Sequence, residues 1–243
     1  MAEKIDYKTF LQFAKKKNAA LFTYIYHPIS YPFSFILFKL GFSANAVSIF
    51  GILLSILGGV LISNGKLLPG LIIFLLSYIL DFCDGNIARI YRDYLKITNP
   101  EKQKLGLLLE NLYANVSYFF FFISLGYYFY LQTGNINFLL FAVFTYGIKI
   151  ISRYTSLHVC IVNKEEVRSI EGSEGKIFKS SAANKIKFFF TRLVDNARLY
   201  YISFILAYLI IPNQLASFFL AYAGVVLIIN AIKINLTLIR KLP

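Results

Sequence analysis

Six long apolar runs, at residues 45–64, 68–91, 105–131, 136–158, 188–211 and 214–238, decide what this chain can fold into. A helix needs about 20 mostly apolar residues to cross the hydrocarbon core of a bilayer, and each run supplies them. The composition agrees: 58% of the 243 residues are hydrophobic and 15% are charged, whereas an average soluble domain carries about a quarter charged residues. A soluble globule and a disordered chain are both excluded. The expected fold is all-α: a polytopic membrane protein of six transmembrane helices with an N-terminal amphipathic interfacial helix.

Basic residues assign sides to the runs. Residues 1–40 hold six lysines, and the stretch 89–104 holds Arg89, Arg92, Lys96, Lys102 and Lys104. The stretch 149–187 holds eight basic residues, and the end holds Lys233, Arg240 and Lys241. The turn at 64–68 has only Lys66, and the turns at 132–135 and 211–214 have none. Cytoplasmic loops are the basic ones, so both termini and the two long loops are expected in the cytoplasm, with the protein in the cell membrane. The net charge of +13 then belongs to loops facing anionic lipid, and no nucleic-acid partner is needed to explain it.

Residues 1–40 form a separate cytoplasmic interfacial region ahead of a membrane domain at 41–243. Tyr7, Phe10, Leu11, Phe13 and Ala14 share one helical face, with lysines opposite or following. That pattern suits a helix lying on the bilayer, with a soluble cap helix as the alternative. Tyr24–Leu40 is apolar but short, interrupted by Pro28 and Pro32 and ended by Gly41. Residues 1–20 lack the apolar core of a cleavable signal, so the first span is expected to act as the insertion signal. Cys83, Cys160, His27 and His158 show no ligand or disulfide spacing and receive no role.

Three of the twelve acids, Asp81, Asp84 and Glu110, stand in apolar runs. An unpaired acid at mid-membrane costs about 2.5–3.5 kcal/mol on insertion scales. Asp81, Asp84, Gly85 and Ala88 fall at i, i+3, i+4 and i+7, on one helical face, and Arg89 closes the patch. Gly106 and Glu110 are one turn apart at the head of the third span, so the two faces can meet across antiparallel neighbours. The bland account is three acids reaching toward the cytoplasmic surface to pair with Arg89 or Lys104. The sharper one is a hard divalent cation, Mg²⁺ or Mn²⁺, held between carboxylates. Such a cation, with an arginine beside residues that have almost no side chain, makes a seat for a diphosphate.

At these residues the chain resembles the CDP-alcohol phosphotransferases (CDP-alcohol phosphatidyltransferases). The pattern Asp81-x-x-Asp84-Gly85-x-x-Ala88-Arg89 followed by Gly106-x-x-x-Glu110 is similar to their signature. Asn45 and Ser48 at the head of the first span resemble the family's Asn-x-x-Thr/Ser element. The resemblance implies an integral membrane transferase of phospholipid biosynthesis. It would move a phosphatidyl or polyol-phosphate group from a CDP-alcohol donor to a hydroxyl acceptor and release CMP. It further implies that Asp81, Asp84 and Glu110 hold the metal and serve catalysis. Gly85, Ala88, Arg89 and Gly106 would contact the CDP portion, and the chain would be a homodimer.

Three departures stand out. The family's last acid, the proposed general base for the acceptor hydroxyl, falls here on Ala114. The third acid is Glu110, where aspartate is usual. Sixteen residues, 90–105, separate Arg89 from Gly106, more than in most members. One divalent ion and Arg89 balance three acids, so a second metal is expected to bind weakly or not at all. Loss of a general base typically costs about 10²–10⁴-fold in rate. A degenerate member that binds CDP-alcohol without turning it over is therefore the alternative. A transporter using the acids as an ion path lacks the inverted repeat such proteins carry.

On the acceptor side, Lys149 and Arg153 lie one turn apart at the cytoplasmic end of the fourth span. Arg192 and Arg198 flank the start of the fifth, with Asp195 between them. Together they could seat an anionic acceptor, a phosphorylated polyol or a lipid headgroup. Ordinary snorkelling at a cytoplasmic helix end explains them equally well.

Overall fold

Short polar side chains and glycines set the helix ends. The computed structural model describes residues 5–14, 23–97, 99–162 and 200–239. Asp6 Oδ1 accepts the Thr9 backbone N–H at 3.0 Å and opens helix α1, Tyr7–Ala14. That hydrogen bonding holds the Asp6 carboxyl below the usual carboxylate range. Helix α2, Thr23–Lys39, ends where Gly41 takes φ +83°. The Gly41 N–H reaches Phe38 O and the Phe42 N–H reaches Leu37 O, both at 3.0 Å. This paired closure needs a left-handed residue, and glycine adopts that conformation without strain.

Ser43 Oγ accepts from Ala46 N at 3.3 Å and caps α3, Ala44–Ser63. Helix α4, Leu67–Arg89, runs on as a π-helical turn, Ile90–Tyr94. Asn99 Oδ1 accepts from Glu101 N and Lys102 N, at 3.0 and 3.1 Å, and Pro100 takes the first position of α5, Pro100–Thr133. Then come α6, Asn137–Val162, α7, Tyr200–Ile210, a 3₁₀ turn at Pro212–Gln214, and α8, Leu215–Ile239. The described residues contain helices and no strand.

Among the described residues, four helical segments are long and apolar enough to cross a membrane: Ala44–Ser63, Leu67–Tyr94, Pro100–Thr133 and Pro212–Asn230. They correspond to the first, second, third and sixth runs of the sequence. The fourth run is represented by a shorter apolar helix, Asn137–Ser152. The first half of the fifth, 188–199, lies outside the described residues. A short helix, α1, stands in the N-terminal region, and it packs against α2 and the π-helical turn. Its Phe10 and Ala14 are fully buried.

One expectation needs correction: Pro28 and Pro32 do not interrupt α2 but lie inside it. Each proline removes a backbone donor from the helix ladder, and both sit on the exposed side. The opposite side, Tyr26, Ser30, Ser34 and Phe38 at four-residue spacing, is buried. Tertiary packing on that stripe carries the helix through two missing bonds.

The chain divides into two compact units: Met1–Leu61 with Pro69–Phe121, and Ile62–Leu68 with Phe122–Pro243. In the first, Phe10 and Ala14 of α1, Phe38 of α2, Val47 of α3, Ile79, Cys83 and Ile87 along α4 and Ile90 of the π-helical turn share one core. Phe13 meets Tyr94 edge-on at 5.0 Å, which seats α1 on the π-helical turn. Tyr26 stacks on Phe82 at 5.7 Å and meets Tyr78 edge-on at 5.0 Å. In the second unit α6 packs along α8. Phe138, Ala142, Thr145, Lys149 and Ser152 form the buried stripe of α6, and Phe219, Ala223, Val226 and Asn230 that of α8.

Candidate functional site

The first unit gathers the heads of α3 and α5 around the C-terminal half of α4. Ser48 is buried on α3, one turn past the helix start. Its single O–H lies between Ala44 O, at 3.2 Å, and Asp84 Oδ2 of α4, to which it donates. Asp84 is half-buried, as is Asp81 one turn before it. Asp84 also lies within electrostatic reach of both Asp81 and Glu110. The three acids singled out in the sequence therefore share one neighbourhood, although α5 reaches it only after the long 90–99 connection.

They do not close into a ligand set. Among the described residues, no group of three histidine, cysteine, aspartate or glutamate side chains is placed to hold a metal ion. The reason lies on α5. Leu109 and Tyr113 are its buried positions here, packed with Ile52 of α3, and Glu110, the next residue round the helix, is exposed. The donor chemistry fits a hard divalent cation, because Asp81, Asp84 and Glu110 offer carboxylate oxygens and Ser48 a hydroxyl. What the described side chains lack is convergence of the third carboxylate.

Asn45 and Gly106 turn out to be partners. Asn45 Nδ2 donates to Lys102 O, at 3.3 Å, in the first turn of α5. A Cβ added to Gly106 would stand 3.3 Å from Asn45 Oδ1. The small residue at 106 makes room for the asparagine that joins α3 to α5. Below it, Ser77 Oγ lies 2.8 Å from Gly51 O, 2.7 Å from Ser55 Oγ and 3.1 Å from the Tyr113 hydroxyl. That buried polar knot holds α3, α4 and α5 in register one turn and more away from the acids.

Arg89 is committed to the protein on two sides. Its Nε donates to Ala14 O at the end of α1, at 2.9 Å, and its Nη2 donates to Asn86 Oδ1. Its Nη1 lies beside Gly85, where an added Cβ would stand 3.6 Å away. Gly85 is half-buried and Ala88 exposed. Ala114, half-buried, follows Tyr113 on α5. Asn86, Ser30 and Ser34 are site neighbours that sequence reasoning passed over. The available signal was a polar side chain at 86 and a serine pair one turn apart at 30 and 34, all in apolar surroundings.

Most of the acceptor-side residues lie outside the described residues. Lys149 is buried in the second unit. Arg153 lies on α6, but its side chain falls outside the described residues, as do Arg192, Asp195 and Arg198 entirely. Residues 42–97 match the family model described as CDP-alcohol phosphatidyltransferase. The match takes in Asn45, Ser48 and the run Asp81–Arg89, and it ends before Gly106, Glu110 and Ala114. No curated protein matches the chain.

Proposed function

We propose that this chain, matched to the CDP-alcohol phosphatidyltransferase family over residues 42–97, is an integral membrane CDP-alcohol phosphotransferase. The active site would face the cytoplasm at the heads of α3 and α5, in keeping with the basic loops on that side. The observation that carries the reading is the Ser48–Asp84 contact. It joins the two sequence elements of the matched segment in one place, one turn after Asp81 and near the Arg89 guanidinium, whose Nη1 lies beside Gly85.

Arg89 Nη1 and the open space over Gly85 receive the diphosphate of the donor. Ala88 and Gly106 keep that approach clear, and Asn45 ties α5 to it. Asp81, Asp84 and Glu110 would be the residues to hold a divalent ion, Mg²⁺ or Mn²⁺. When bound, the ion neutralises diphosphate charge and eases departure of CMP. The acceptor oxygen bonds to the phosphorus that bears the donated alcohol, and the anhydride bond to CMP breaks, its electron pair leaving with CMP. The acceptor proton passes to a carboxylate, and with alanine at 114 the nearest acid on α5 is Glu110. Lys149, Arg153 and Arg198 are the residues offered to an anionic acceptor.

One observation favours a second reading. The exposed Glu110 together with Ala114 leaves no buried acid on this part of α5, which suits a protein that binds CDP-alcohol without transferring from it. Purified protein supplied with a CDP-lipid or a soluble CDP-polyol, with MgCl₂, MnCl₂ or EDTA, separates the two. Metal-dependent CMP release supports the enzyme. Binding of CDP without CMP release supports the second reading, and failure of both binding and release rejects the site.

A further inference from the structure

Asn86 is fully buried on α4, between the second acid and the arginine of the motif. An amide taken out of water needs partners for both its oxygen and its nitrogen. Nδ2 donates to Ser30 Oγ at 3.0 Å and to Ser34 Oγ at 2.9 Å, one turn apart on α2. Ser34 spends its own proton on Ser30 O, at 2.6 Å, which leaves its oxygen free to accept. Oδ1 accepts from Arg89 Nη2. A guanidinium has donors only, so the oxygen must be the end that faces it, and the flipped amide would set N–H against N–H. The network therefore admits one orientation of Asn86.

The consequence falls on Arg89. With Nη2 held by Asn86 and Nε held by Ala14 O, the plane of the guanidinium is set from two sides. Nη1 is left beside Gly85, on the helix side that also carries Asp81 and Asp84. Ser30 and Ser34 lie ahead of the matched segment 42–97, so this support comes from a helix that the family match does not include.

We propose that Asn86 is a positioning residue which, anchored by Ser30 and Ser34, aims Arg89 Nη1 at the place where the phosphates of a nucleoside diphosphate bind. The inference rests on the functional reading above. Its test is equilibrium binding of cytidine diphosphate, with MnCl₂, to the full-length protein in detergent, with thermal unfolding followed in parallel. The variants are N86A, R89A, N86A/R89A and S30A/S34A.

N86A and S30A/S34A are each expected to weaken binding about tenfold, the loss of one hydrogen bond to a charged group. N86A/R89A is expected to bind no more weakly than R89A alone, because the amide acts only through the guanidinium. A merely structural role would lower the unfolding temperature without that non-additivity. Unchanged binding in N86A, or full additivity in the cycle, overturns the inference and leaves the site standing. Wild-type protein that binds no cytidine diphosphate overturns the site and the inference together. Should N86A not fold, S30A/S34A decides: weakened binding supports the inference and unchanged binding overturns it.

Discussion

Ser48 on α3 donates its hydroxyl to the Asp84 carboxylate on α4, 36 positions later in the chain. A carboxylate in an apolar span needs donors, and a buried serine supplies one from the neighbouring helix.

Ser48→Ala removes that donor and leaves the helix intact. A hydrogen bond to a charged group contributes about 1.5–3 kcal/mol. The variant is expected to release CMP at least about tenfold more slowly than wild type, with a smaller loss of thermal stability. Parallel turnover and unfolding measurements check this. Wild-type turnover would show that Ser48 packs without serving the acids.

Ala114→Asp places an acid one turn beyond Glu110. If the site lacks only its base, turnover rises by about 10²-fold or more, and CDP binding changes little. A variant that binds CDP and stays silent would favour the binding-only protein. Steady-state CMP release against bound CDP distinguishes these outcomes.

Gly126 on α5 is pressed against α6. An added Cβ would lie 2.8 Å from Phe138 O, with the Ala142 methyl nearer still. Gly126→Ala therefore forces two backbones apart and is expected to cost about 1–3 kcal/mol. Gly147 on α6 has nothing within 4 Å of the same added atom, so Gly147→Ala is expected to be neutral or stabilising by up to about 1 kcal/mol. Thermal unfolding of the two variants side by side should order them on opposite sides of wild type.

Ser77→Ala unties the knot of Gly51, Ser55 and Tyr113. Two hydroxyls and a carbonyl lose a partner in a dry interior, at a cost of about 1–3 kcal/mol. Because the knot lies away from Asp81 and Asp84, binding of CDP by the surviving folded fraction is expected to stay within about twofold of wild type. A selective loss of binding at unchanged stability would place Ser77 in the site instead.

Much of the site was legible from spacing. Asp81, Asp84 and Gly85 share a face because a helix turns 100° per residue, and that holds whatever α4 packs against. The end of α2 at Gly41 and the start of α5 at Asn99-Pro100 follow from local backbone preferences in the same way. Glu110 was legible as an acid in an apolar run, but its exposure was not. Its face depends on how α5 is rotated when Leu109 and Tyr113 settle against Ile52. Gly106 read as a gap beside a carboxylate, and the structure adds that a Cβ there would stand 3.3 Å from Asn45 Oδ1.

The sequence by itself determined the helical character of the chain, its apolar runs and the acidic face of α4. All of these follow from hydropathy and helical period, which act over a few residues. Only the tertiary structure decided that α2 continues through two prolines, that Asn86 finds Ser30 and Ser34, and that Arg89 closes onto Ala14. Those contacts join residues 52 to 75 positions apart, and they depend on the relative rotation of packed helices, which no local periodicity encodes.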